Sequence, residues 1–250
     1  MTVVVAFLCT DGVVVAADSM LTSSAGGLNI GHHHGQKVHL LAGDQVFAFA
    51  GDLGLAARCR HLVSVNHSHI ANCKHPIDYG LTLSGCMVQD FNNTGLKVGD
   101  GGNVTSVIAF QMGGTAHCCV FSVLQPLLLD AQHFYMAIGS GKLSADPFLR
   151  FLVDTFCEGR NQPTVREAVF LSTWVVQHVI ETNPGGVDGP IRVAVLERGS
   201  QGFGARELPQ NELDEHQQAI GSAQQSLRDW RDAIQAGNVN SPPLPSPIKP

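Results

Sequence analysis

Residues 2–19, TVVVAFLCTDGVVVAADS, contain the clearest strand pattern of the chain. Two runs rich in β-branched residues, Val3 to Leu8 and Val13 to Ala17, lie on either side of the turn signal Thr10-Asp11-Gly12. This pattern predicts a β-hairpin. Thr2 is therefore expected to open the first strand, directly after the initiator methionine and without a propeptide.

Strand and helix signals alternate along the rest of the chain. The segment from Ser23 to Gln36 is predicted to be a loop, and Thr164 is predicted to cap a helix, with Glu167 at capping-box spacing. Strands are predicted at 37–41, 45–50, 104–110, 116–121, 133–138 and 190–196, and helices at 53–69, 77–91, 145–157 and 165–181. This order predicts an α+β fold, a four-layer αββα sandwich of two antiparallel sheets between helical layers.

Two regions are predicted along the 250 residues. Residues 1–208 are expected to form one domain, because no linker composition interrupts them. Residues 209–250 are expected to form a C-terminal extension, with a polar helix from Glu212 to Ala236 and a proline-rich tail from Ser241 to Pro250.

Composition narrows the possible partners and compartments. Hydrophobic residues make up 44% and charged residues 14%, which favours an oligomer with extensive subunit contacts. The formal net charge of -6 argues against nucleic acid or an anionic membrane as a partner. The seven cysteines follow no disulfide-scaffold spacing and indicate a reducing compartment, so a cytoplasmic protein is predicted. Asp11-Gly12 interrupts the first apolar run, which argues against a secretory signal.

An N-terminal threonine carries its own general base. A hydroxyl is a weak nucleophile, but the free α-amine of the same residue can accept its proton. The reference pKa of an α-amine is about 7.7 to 8.0, and a nearby cation lowers it toward neutral pH. Thr2 would gain this chemistry once Met1 is removed.

Four motifs in the first fifty residues resemble those of β-type proteasome subunits. They are Thr2-Val-Val-Val-Ala-Phe, Asp11-Gly-Val-Val-Val-Ala-Ala-Asp18-Ser19, Gln36-Lys37-Val38-His39 and Phe47-Ala-Phe-Ala-Gly51. Gly139-Ser140-Gly141, between a strand and a helix, is a further match. Over residues 2 to 197 the chain resembles the bacterial proteasome β-subunit-like family of N-terminal nucleophile hydrolases, and within it the betaproteobacterial proteasome homologue.

The resemblance implies a role for each matched residue. Thr2 would be the nucleophile, and the ammonium of Lys37 would depress the pKa of its amine and favour the alkoxide. Asp18 would pair with Lys37, Ser140 would hydrogen-bond near the amine, and the backbone NH of Gly51 would bind the oxyanion. Taken singly, Asp18 also fits a strand end, Lys37 a solvated strand position and Gly51 the entry to a helix.

One motif departs from the family pattern. Where the family often has Asp-x-x-Ser-Gly-Gly, this chain reads Glu181-Thr-Asn-Pro184-Gly-Gly. Glu181 keeps the carboxylate on a longer arm, and Pro184 offers no hydroxyl. Asp188 is the alternative carboxylate, although its place beside Gly189 is typical of a turn.

By the same resemblance, the main specificity pocket is expected at Leu21, Gly35, Phe49 and Leu53. These residues are mostly apolar, so cleavage after small or medium apolar residues is predicted. The resemblance implies a self-compartmentalising threonine endopeptidase in stacked homo-oligomeric rings of six or seven subunits. Peptides or unfolded proteins would be its substrates, and any unfoldase partner is unknown. A catalytically silent ring protein that binds peptides and a small-molecule amidase remain alternatives.

Histidine, cysteine and glycine clusters offer competing chemistry. His32-His33-His34 and the run from Cys59 to His75 have zinc-ligand types without zinc-finger spacing. The histidine triplet is interpreted as a surface loop or an inner-wall patch of a ring. Gly113-Gly114 lacks a following Gly-Lys-Ser/Thr, so no nucleotide site is predicted. Neither a metal nor another cofactor is predicted.

Overall fold

The N-terminal hairpin forms the middle of a five-stranded antiparallel sheet. The computed structural model describes residues 2–25, 28–97, 104–122, 124–157, 161–183, 186–200 and 202–236. The strands of this first sheet, in spatial order, are β10 (Tyr135–Ile138), β1 (Val4–Leu8), β2 (Gly12–Ala17), β11 (Arg192–Gly199) and β12 (Gly202–Glu207). Every residue of β1 and β2 is buried, which explains why both read as unbroken apolar runs.

A second five-stranded antiparallel sheet faces the first. Its strands, in spatial order, are β5 (Val38–Leu41), β6 (Gln45–Gly51), β7 (Val104–Met112), β8 (Thr115–Ser122) and β9 (Gln125–Leu128). Strands β1 and β2 contact β8, and β11 contacts β5 and β6. The apolar interior therefore includes residues of both sheets.

Helices pack on each sheet. Next to the second sheet lie α1 (Leu53–Val65), a 3-10 helix (His67–Asn72) and α2 (Pro76–Asn93). Beside the first lie α3 (Lys142–Phe156) and α4 (Val165–Thr182). The predicted capping box is confirmed, because Thr164 and Glu167 each accept the other's backbone NH at the start of α4. The molecule is thus a mixed α/β protein with antiparallel sheets.

The predicted loop at 23–36 is wrong in part. The chain there forms a separate two-stranded sheet of β3 (Met20–Ala25) and β4 (Leu28–His34), with an irregularity in the pairing between Ser23 and Ser24. Its glycine, serine and histidine residues give no apolar alternation, so the sequence pattern does not reveal the backbone pairing of β3 with β4. The predicted helix at 53–69 also ends early, because Asn66 caps α1.

The chain divides into two compact units, Met1–Leu208 and Pro209–Pro250. The second unit contains helix α5 (Gln210–Gln235), and the predicted proline-rich tail at 241–250 lies outside the described residues. Strands β9 and β12 were not predicted from the sequence. Within the described ranges, no helix is long and apolar enough to cross a membrane.

Candidate active site

A buried ion pair lies at the centre of the candidate site. Lys37 and Asp18 are 1% and 0% exposed, and Nζ of Lys37 lies 2.8 and 2.7 Å from the two carboxylate oxygens of Asp18. The same carboxylate accepts hydrogen bonds from the backbone nitrogens of Val3, at 3.0 Å, and Met20, at 3.1 Å. Each oxygen therefore has two donors, which offset much of the cost of burying the charge.

Two strand ends bring these residues together. Asp18 directly follows β2, and Lys37 directly precedes β5, so the partners flank strands of two different five-stranded sheets. The β3–β4 hairpin connects them, and the NH of Gly35 donates to the carbonyl of Ser19 at 2.8 Å where the hairpin closes. The hairpin thus brings Lys37 within hydrogen-bonding distance of Asp18, although the two residues are 19 positions apart in the sequence.

The ion pair is linked to the backbone of Thr2. The Asp18 oxygen that binds Lys37 also accepts the NH of Val3, which belongs to the peptide between Thr2 and Val3. Burial lowers the pKa of Lys37, while the charge of Asp18 and its hydrogen bond act in the opposite direction. A cation held at this point can stabilise negative charge on a neighbouring oxygen.

The turn Gly139-Ser140-Gly141 encloses Thr2 from the other side. The backbone nitrogen of Thr2 donates to Oγ of Ser140 at 3.2 Å, and its carbonyl accepts the NH of Gly141 at 3.0 Å. A Cβ on Gly139 would lie 2.3 Å from that carbonyl oxygen, and the φ of Gly139 is +90°. Glycine is therefore required there for close approach and for conformation.

Gly51 ends β6 next to this turn. Its φ is +112°, a conformation that glycine adopts without strain, and it is exposed. A Cβ on Gly139 would lie 3.1 Å from Cβ of Ala50, which places the end of β6 beside the carbonyl of Thr2. The structure thus brings together Thr2, Asp18, Lys37 and Ser140, with Gly51 adjoining them.

The predicted pocket residues lie in three different places. Leu21 covers Gly35, because a Cβ on this glycine would lie 2.2 Å from Cδ1 of Leu21. Phe49 is 3% exposed and donates its NH to the carbonyl of Lys37 at 3.3 Å, so it lies beside the ion pair. Leu53 is half exposed at the start of α1.

The ring of His39 stacks on the buried ring of Phe49. The rings of His39 and Phe49 are nearly parallel, with centroids 6.3 Å apart, and Nη1 of Arg60 lies 2.9 Å from Nδ1 of His39. Burial, followed by the charge of Arg60, lowers the pKa of His39 to about 4. His39 is thus held in its neutral form at neutral pH.

The structure does not bring Glu181 to this group. Glu181 is exposed on α4, where Oε1 accepts from Nε2 of Gln177 at 2.9 Å. Pro184 lies outside the described residues. Oδ1 of Asp188 accepts the NH of Gly189 at 2.8 Å, and its carbonyl accepts the NH of Ser19 at 3.0 Å, so it acts as a turn residue with its side chain exposed.

Sequence reasoning missed Asn183. It ends α4, and its Nδ2 donates to Oγ of Ser144 at 3.0 Å in the first turn of α3. Because α3 begins immediately after the Gly139-Ser140-Gly141 turn, this contact joins the end of α4 to the element that carries Ser140. An asparagine directly after a helical pattern is the signal that could have found it.

The competing constellations are dispersed. His32, His33 and His34 are exposed on β4, and Gly113 and Gly114 form the turn between β7 and β8. Cys118 and Cys119 are buried in β8, where burial raises the pKa of both thiols. Across the part of the chain that the structure describes, no three histidine, cysteine, aspartate or glutamate side chains are grouped to hold a metal ion.

Comparisons with known proteins support the fold. No family model matches the chain, and no curated protein does. Among the similar solved structures, an Anbu (Gly-1) mutant from Hyphomicrobium sp. strain MC1 has 16% identity and a TM-score of 0.64, covering 89% of this chain and 96% of that one. Anbu (ancestral beta-subunit) from Yersinia bercovieri has 15% identity and a TM-score of 0.65, covering 90% and 96%.

These findings correct the identification made from sequence motifs. The assignment to the bacterial proteasome β-subunit-like family, and within it to the betaproteobacterial homologue, is wrong, because both of the similar structures named above are Anbu proteins. At 15–16% identity the similarity is one of fold. The similarity therefore does not extend to the catalytic chemistry, which depends on the residues of this chain.

Proposed function

We propose that this chain is a threonine-type endopeptidase that cleaves peptide bonds after Met1 has been removed. The observation that carries the proposal is the convergence of the buried Lys37–Asp18 pair and Ser140 on the backbone of Thr2. These residues come from three separate parts of the sequence and supply a cation, its counter-ion and a hydroxyl at a single threonine.

The proposed reaction has two halves. The free amine of Thr2 accepts the proton of Oγ1, directly or through water, and Oγ1 adds to the substrate carbonyl. The NH of Gly51 binds the oxyanion, and collapse of the intermediate breaks the C–N bond as the ammonium returns the proton to the leaving amine. A water then repeats the addition on the ester and releases the acid.

The environment of Thr2 gives Lys37 an electrostatic role. Its ammonium is held by both oxygens of Asp18, so it acts as a fixed charge near the nucleophile. Such a charge lowers the pKa of the amine and stabilises the alkoxide. In this proposal Ser140 positions the amine of Thr2. A catalytic role for Glu181 rests only on the sequence motif.

The four-layer αββα arrangement and the homo-oligomeric rings belong to this proposal. The packing of α1 and α2 on one sheet, and of α3 and α4 beside the other, supports the former. The apolar environment of Phe49 and Leu21 supports cleavage after small or medium apolar residues. A protein that binds peptides without cleaving them is the second candidate, favoured by the exposed position of Glu181.

A peptide panel tests the proposal. Fluorogenic substrates with alanine, valine, leucine, arginine or glutamate before the scissile bond should show the highest kcat/KM for the apolar members. Thr2→Ala should abolish turnover while leaving the melting temperature unchanged, and Thr2→Ser should retain measurable turnover. Preference for arginine or glutamate contradicts the pocket, and turnover by Thr2→Ala contradicts the nucleophile.

A further inference from the structure

Helix α5 has apolar residues at the spacing of a coiled-coil seam. Leu213, Ile220, Leu227 and Ile234 are each seven positions apart along the helix. His216, Ala223 and Trp230 occupy the intervening positions, so the spacing alternates between three and four residues. This alternation over the length of a helix is the pattern that buries side chains between two helices. We call these seven residues the α5 seam.

The two halves of the α5 seam differ in exposure. Leu213 and Ile220 are 2% and 0% exposed. In contrast, Leu227 is 45% exposed, Trp230 is 38% and Ile234 is 50%. Three large apolar side chains, close together on the last turns of one helix, form a stripe that favours burial against another surface.

Polar contacts of the last turns lie away from the seam. Nε2 of Gln225 donates to Asp229 at 2.8 Å, Arg228 donates to Gln225 at 3.3 Å, and Arg231 pairs with Asp232 at 2.7 Å. These side chains satisfy one another on the flanks and outer face of the helix. The seam is therefore apolar on a helix that is otherwise hydrogen-bonded and charged.

We infer that the exposed half of the α5 seam binds the same half of α5 in a second copy of this chain, in antiparallel orientation. Centred between Leu227 and Trp230, a two-fold axis places Leu227 of one copy opposite Trp230 of the other, and Ala223 opposite Ile234. Each layer then pairs a larger side chain with a smaller one, which fills space evenly. A parallel pairing would oppose two tryptophans in one layer and two alanines in another.

The charges of α5 favour the antiparallel arrangement. Arg228, Asp229, Arg231 and Asp232 cancel, so the last turns of two copies meet without net repulsion. Glu212, Asp214 and Glu215 make the first turns acidic, and antiparallel pairing of the last turns keeps these acidic starts apart. The helix dipoles also oppose each other in this orientation. The contact is self-complementary, as a two-fold interface requires.

Measuring the mass of the assembly tests the interface independently of catalysis. Sedimentation velocity of the full chain with Leu227→Asp and Ile234→Asp should show an assembly of at most half the wild-type mass. The control, Gln218→Asp with Gln235→Asp, adds the same two charges off the seam and should keep the wild-type mass. Far-ultraviolet circular dichroism monitors the helix content of both. An unchanged mass for the seam variant overturns the inference.

Disulfide cross-linking tests the orientation. The chain with both Ala223→Cys and Ile234→Cys should form covalent dimers on mild oxidation, well above the background given by the native cysteines. Each single variant should stay at that background, because the antiparallel axis separates identical positions by about 16 Å at 1.5 Å per residue. Cross-linking of the Ala223→Cys variant alone, or none in the double variant, contradicts the antiparallel seam.

Discussion

Replacing Asp18 by asparagine removes one charge from a pair that is fully buried. The ammonium of Lys37 would lose its only counter-ion among the described residues while keeping 1% exposure. Breaking a buried pair by removing one partner costs about 3 to 5 kcal/mol of unfolding free energy. For a unit of this size that is a fall in melting temperature on the order of 10 °C. Turnover should also be lost, because the position of Lys37 depends on Asp18.

A second substitution separates the loss of the pair from the burial of an unpaired charge. Lys37→Met removes the ammonium with little change in volume, so the double variant Asp18→Asn/Lys37→Met should recover much of the stability lost in Asp18→Asn. Turnover should stay absent in the double variant, since the cation is gone. The exposed pair Glu197–Arg206 is the control, where Glu197→Gln should cost less than about 1 kcal/mol.

Urea denaturation followed by circular dichroism measures these differences. A loss of unfolding free energy below about 1 kcal/mol in Asp18→Asn would contradict the buried ion pair, because it would mean that Lys37 is not held in a dry, paired site. A double variant as unstable as the sum of both single variants would also refute it, since the cycle would then show no coupling between the two residues.

Further substitutions test the Gly139 turn, the end of α4 and the partly buried His39. Gly139→Ala should abolish turnover and lower the melting temperature, because its Cβ meets a carbonyl oxygen at 2.3 Å, whereas Gly95→Ala, also at positive φ but with nothing within 4 Å, should lower only stability. Asn183→Ala should reduce kcat more than it changes KM, while Glu181→Gln should alter neither. A loss of kcat in Glu181→Gln without one in Asn183→Ala would show that Glu181 supports catalysis instead. His39 has a pKa of about 6.5 in the unfolded chain and about 4 in the folded protein, so the unfolded chain binds more protons between these pH values. The unfolding free energy should therefore fall by up to about 3 kcal/mol as the pH drops from about 6.5 to about 4. His39→Gln should flatten this pH dependence.

The first hairpin could be predicted because its pattern is local. Val3 to Leu8 and Val13 to Ala17 are continuous β-branched runs around a turn, and both strands form there. The capping box at Thr164 is equally local, since a helix start depends on residues three positions apart. Such features need no knowledge of distant contacts.

The sequence-based predictions that are wrong or missing concern features that depend on tertiary contacts or have weak sequence patterns. Strands β3 and β4 carry serines and histidines, and their pairing is a backbone property that composition hides. Glu181 has the right residue type, but the helical phase of α4 directs it to Gln177 and leaves Asn183 at the helix end that meets α3. Position in a motif predicted the residue type, and the packing of α4 decided where its side chain lies.

Intact mass before and after treatment with a threonine-directed covalent inhibitor tests whether Thr2 is the nucleophile. We expect a chain lacking the mass of Met1 that gains one inhibitor per subunit, with the adduct mapped to Thr2 by peptide sequencing and absent in Thr2→Ala. A chain without Met1 that stays unlabelled, or an adduct at any other residue, would contradict Thr2 as the nucleophile.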